Sequence, residues 1–112
     1  MALTVEARGS HISSDDRLIL VVYVEDDQGN PVLGLKARNF KVWQMAHLFG
    51  SLSNITVVDI GSSLPELAGH YHLVKHLWAP AVDGTFVFVV LVKGTKRLGD
   101  GRAYATLVKV RS

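Results

Sequence analysis

Residues 85–93 read TFVFVVLVK, and between Thr85 and Lys93 every side chain is apolar. Branched and aromatic residues dominate the run, the types that fit a pleated and partly buried surface. It is far shorter than the roughly 20 apolar residues that a membrane-crossing helix needs. Asp83-Gly84 precedes it and Gly94 follows it, both turn signals. The run is therefore expected to be a strand with Phe86, Phe88, Val90 and Val92 on one side and Val87, Val89 and Leu91 on the other. A second run, RLILVVYVE (17–25), has the same character. Antiparallel sheets usually wet one face and alternate apolar with polar residues. Two strands that are apolar on both faces break that rule, and bare apolar patches beyond about a few hundred Å² are unusual on a monomer. Cover for the outer side is expected from the 42–53 segment, from long loops, or from a protein partner or second copy of the chain. Phe86, Phe88, Val90, Val87, Val89 and Leu91 are accordingly candidate interface residues.

The rest of the chain is punctuated in the same way, at DDQGNP (26–31), VDG (82–84), KG (93–94) and GDG (99–101). Between these turns lie further β-rich runs: ALTVEA (2–7), NFKVWQM (39–45), NITVVDI (54–60), GHYHLVKHLW (69–78) and RAYATLVKV (102–110). Short β-rich runs with a turn signal about every 8–12 residues predict an antiparallel β-sandwich, here of about seven strands. VWQMAHLFGSL (42–52) has some helical spacing before Gly50, which predicts a short helix near 43–51, and LPELAG (64–69) allows one helical turn.

A chain of 112 residues is expected to form a single domain over 1–112. The 48% hydrophobic content argues against disorder. Net charge is +2, from 12 Lys and Arg against 10 Asp and Glu, which is too slight and too scattered for a nucleic-acid-binding stripe. The nearest basic cluster, KGTKR (93–97), reads as a solvated loop. The absence of cysteine excludes disulfides, thiolate metal sites and a cysteine nucleophile. No run of apolar residues is long enough for a transmembrane helix, and MALTVEARGSHISSDD has no signal-peptide core. The default expectation is the cytoplasm, or the cell surface if the chain is a module of a larger exported protein.

GHYHLVKHLWAP (69–80) carries three of the five histidines. On a strand, Tyr71, Leu73 and Leu77 share one face with Lys75, while His70, His72, Val74, His76 and Trp78 share the other. The first face is expected to point into the sandwich and the histidines outward. An HxH pair directs both rings the same way, so His70, His72 and His76 are candidate metal ligands. A third or fourth ligand would have to come from Asp59, Asp83, Glu66 or His47. The alternative is that His70, His72, His76 and Trp78 are interface candidates on a contact face made pH-sensitive by histidine, which titrates near neutrality, or simply the wet side of a strand. No Gly-x-Ser-x-Gly is present, Asp15/Asp16 and Asp26/Asp27 read as turn formers, and no loop has calcium-ligand spacing. No catalytic residue and no cofactor are expected. Trp43 and Trp78 are candidates for stacking on carbohydrate, against the commoner role of tryptophan in a core or interface.

Beyond patterning, VVYVEDDQGNPVLGLKARNFKVW resembles the opening of bacterial immunoglobulin-like modules, through Asp27, Gly29, Asn30, Pro31, Val32, Gly34 and Leu35. GHYHL matches their Gly-x-Tyr-x-hydrophobic strand through Gly69, Tyr71 and Leu73. DGTFVFVVLV is similar to their Asp-Gly-Thr-Tyr strand, with Phe86 at the Tyr position, and GDGRAYATLVKV looks like the closing strand. The resemblance spans about residues 17–110 and departs at QMAHLFGSLSN (44–54). It implies an immunoglobulin-like antiparallel β-sandwich of about seven strands, serving as a structural, adhesive or protein-binding module, self-associating or part of a larger assembly. HYHL (70–73) also resembles, more weakly, the His-Tyr-His stretch of transthyretin-like hydroxyisourate hydrolases. In that family the stretch lies near the C-terminus ahead of Tyr-Arg-Gly-Ser, whereas this chain continues to KVRS at 109–112.

Overall fold

The computed structural model describes residues 2–46, 49–80, 82–94 and 98–109. Among these residues eight strands are present: β1 (Thr4–Ile12), β2 (Arg17–Glu25), β3 (Phe40–Ala46), β4 (Gly50–Leu52), β5 (Thr56–Asp59), β6 (His70–Lys75), β7 (Gly84–Lys93) and β8 (Asp100–Lys109). They form two four-stranded antiparallel sheets, ordered β1-β2-β6-β5 and β4-β3-β7-β8. Lettered A, B, C, C′, D, E, F and G in chain order, the sheets read A-B-E-D and C′-C-F-G. This is the strand order of an immunoglobulin-like sandwich with one strand added beside C.

Side-chain alternation explains the layering. Leu18, Leu20, Val22 and Val24 of β2 are fully buried, as are Phe86, Phe88 and Val90 of β7. Tyr71 and Leu73 of β6 and Val42 of β3 join them to fill the space between the sheets. Phe86, Phe88 and Val90 are therefore core residues, which corrects their assignment as interface candidates. Only the opposite parity of β7 can meet a partner.

Among the described residues of 43–51 there is no helix, contrary to expectation. Trp43 to Ala46 continue β3, and Gly50–Leu52 form β4, which pairs back onto Val42, Trp43 and Gln44. Pairing of β3 with β7 outweighs the local helical spacing, because the period-2 pattern of Phe40, Val42 and Gln44 buries its side chains whereas a helix would not. Helical structure among the described residues is limited to single 3-10 turns at Ala37–Asn39, Ile60–Ser62 and Pro65–Leu67, the last within the LPELAG stretch.

The two sheets meet along one side, where β1 runs beside β8. Leu3 N–H donates to the Asp100 carbonyl at 3.0 Å. The approach is so close that a Cβ on Gly101 would lie 2.5 Å from the Leu3 carbonyl oxygen. One end of the core is closed by Trp78. Its N–H donates to the Asp16 carbonyl (2.7 Å), and its Nε1–H donates to Oε1 of buried Gln44 (3.0 Å). The Trp78 ring stands edge-on to Phe86 at 5.1 Å. This corrects the expectation that Trp78 shares the histidine face. β6 ends at Lys75, and a turn through Leu77 (φ 56°) reverses the chain and drives the indole inward.

Candidate functional site

Two outer faces are available, one per sheet, and the histidines belong to the first. His70 and His72 do point outward from β6, in register with Tyr23 and Val21 of β2. His70 is already engaged: its Nδ1–H donates to the Leu67 carbonyl at 3.0 Å, and its ring tilts against Tyr23 at 4.7 Å. Tyr23 donates to Glu25 (3.1 Å), and its phenol pKa is raised above 10.0 by desolvation first, then by that bond and the surrounding carboxylates. His72 lies between Val21 and Val58 of the flanking strands. His76 sits beyond the strand in the exposed turn.

The proposed additional ligands do not converge on these rings. Asp59 has the inward parity of β5, opposite Tyr71, with Oδ1 buried and unpartnered. Asp83 pairs with Lys109 at 3.5 Å. Glu66 lies in the Pro65–Leu67 turn, and His47 is outside the described residues. Among the described residues no three His, Asp or Glu side chains are grouped to hold a metal ion.

Sequence reasoning passed over His11. It has the inward parity of β1, stands T-shaped to Trp78 at 5.5 Å, and carries a buried Nε2 that is 3.8 Å from Asp16. Its position four and six residues after Ala7 and Val5 on the inward parity of β1 was the available signal.

The second outer face, on the β4-β3-β7-β8 sheet, is of another kind. Register places Ser51, Trp43, Val89 and Tyr104 in one row across the four strands. Val89 is only 8% exposed although it faces outward, because Trp43 and Tyr104 flank it on the neighbouring strands. The cover predicted for β7 is thus supplied in part by its own cross-strand neighbours. Within the 42–53 segment, β4 extends the sheet edge beside β3, and Phe49, just ahead of β4, stacks on Trp43 at 5.6 Å and 29°.

That cover is itself apolar and open to solvent. Phe49 is 69% exposed, Tyr104 60% and Val108 64%, with Met45, the extra residue at the β3 bulge, also exposed. Val87 and Leu91 lie half-buried above and below Val89 on the same strand.

The row toward the start of β8 changes chemistry. Lys41, Leu91 and Arg102 are cross-strand neighbours there, and beyond them Lys93 faces Asp100. With Arg38 they surround a depression of about 370 Å³. Its wall is held by Asn39, whose Nδ2–H donates to the Lys93 carbonyl (2.8 Å) while its Oδ1 accepts from Lys36 N–H (2.8 Å).

No family model matches this sequence, and no curated protein or solved structure shows significant similarity to it.

Proposed function

We propose that this protein is a non-catalytic structural or protein-binding module of immunoglobulin-like architecture, which engages its partner through the outer face of the β4-β3-β7-β8 sheet. The observation that supports this reading is the pair of exposed aromatics Phe49 and Tyr104 on either side of half-buried Trp43, with exposed Met45 and half-buried Val87 and Leu91 on the same face. Isolated exposed apolar side chains are ordinary, but contiguous ones on a flat sheet face mark interaction surfaces. Aromatic side chains also dominate the energetics of protein interfaces. The partner is a second protein or a second copy of the chain.

The test compares Phe49→Lys with Tyr104→Lys together, against Val58→Lys on the opposite sheet. The reading expects the double variant to lose association, measured by sedimentation of the pure protein and by quantitative capture from its own cells, while the control retains it. Equal behaviour of both variants with unchanged circular dichroism sinks the reading. Binding of an oligosaccharide that Tyr104→Lys abolishes would replace it with carbohydrate recognition.

A further inference from the structure

Four cationic side chains converge at one end of the face just described. Lys41 and Arg102 flank Leu91 from the two adjacent strands, and Arg38 and Lys93 complete the rim. All four residues are exposed, and among the described residues none of them has a carboxylate within 4 Å. Among the described residues, Asp100 is the single acid in the depression. Four cations gathered around one acid leave an excess of positive charge, which favours an anionic partner.

We infer that this depression receives a carboxylate from an extended acidic segment of a partner protein, whose neighbouring apolar side chain lies on Trp43 and Tyr104. The inference rests on the protein-binding reading and specifies the partner.

The geometry gives the pattern. Lys41 and Trp43 are two apart on β3, and Arg102 and Tyr104 are two apart on β8. Same-face positions along a strand lie about 6.5–7 Å apart. A partner segment in extended conformation has the same spacing between alternate side chains. An acidic residue seated over Leu91 therefore places the side chain two residues on at the Val89 row, against Trp43 and Tyr104. The apolar floor at Leu91 keeps water from one side of the ionic contact.

Charge decides against the other occupants. A second copy placed face to face would set four cations against an identical surface that offers one acid, Asp100, or against an apolar one. A nucleic acid needs cations that continue along its backbone. Here the next row is Trp43, Val89 and Tyr104, which offers none.

The experiment uses short labelled peptides in fluorescence anisotropy: one alternating Glu with Phe, one alternating Lys with Phe, and one alternating Glu with Ser. The first is expected to bind, more weakly as salt rises, and the other two to bind at least about tenfold more weakly. Lys41→Glu with Arg102→Glu is expected to weaken the Glu-Phe peptide by about tenfold or more, since both side chains are exposed and their reversal leaves the core intact. Circular dichroism and thermal melting check the fold, and Lys41→Ala with Arg102→Ala serves if the reversal unfolds the chain. Absence of binding by the Glu-Phe peptide overturns the inference. So does unchanged binding in both double variants, tighter binding of a polydeoxythymidine strand through the same cations, or concentration-dependent self-association that the reversal abolishes. If Tyr104→Lys still abolishes partner capture while the charge variants do not, the binding face stands and the acidic partner falls.

Discussion

The hydroxyl of Tyr71 donates to the Val32 carbonyl at 2.7 Å and accepts from Leu35 N–H at 3.2 Å. It thereby ties β6 to the chain between β2 and β3 from a fully buried position. Tyr71→Phe removes both bonds and leaves two backbone groups unpaired. The expected cost is about 1–3 kcal/mol, read as a lower urea midpoint. The phenol pKa is raised above 10.0, chiefly by desolvation, which outweighs the opposing hydrogen bond from Leu35, with a smaller upward push from the Asp59 carboxylate. The sign follows directly. The unfolded chain loses this proton at lower pH than the folded one, so the contribution is intact below pH 10 and is lost as pH rises through the folded pKa. Wild type should therefore lose stability above that pH more steeply than Tyr71→Phe does.

Strand existence is local information, and most of it was legible. The bounds of β2 coincide with the apolar run at 17–25, and β7 with the run at 85–93 to within one residue. β4 was not legible, because three residues carry no period and their strand character comes from pairing with Trp43. Nor was the meeting of β1 with β8, which joins residues at opposite ends of the chain. Gly101 makes that contact possible, since a Cβ there would lie 2.5 Å from the Leu3 carbonyl and 2.9 Å from Val5. Gly101→Ala is expected to force β1 away from β8 and to cost about 1–3 kcal/mol, in the range of an overpacked core. Hydrogen exchange should show Leu3 N–H losing protection first, and unchanged exchange there would contradict the close approach.

For the molecule as a whole, the two faces of the β4-β3-β7-β8 sheet do different things with similar residues. Phe88 and Val89 are adjacent in sequence, but Phe88 is enclosed between the sheets and Val89 lies under Trp43 and Tyr104. Phe88→Ala is expected to destabilise the fold by about 3–5 kcal/mol. Tyr104→Ala, at a position 60% exposed, should cost under about 1 kcal/mol while impairing association. Denaturant unfolding of the two variants beside a binding measurement separates structural from binding residues. Comparable destabilisation by both would place Tyr104 in the core's support.

The division between sequence and structure has a physical reason. Composition and period-2 alternation by themselves determined an all-β sandwich, the inward face of GHYHL through Tyr71 and Leu73, and the outward direction of His70 and His72. These depend on how side chains alternate along one strand. Which face of TFVFVVLVK meets the core, why Trp78 turns inward, and why Lys41 and Arg102 flank Leu91 depend on register between strands far apart in the chain. Only the tertiary structure decided those. Pairing is selected by the summed burial of all eight strands, a quantity that no single segment contains.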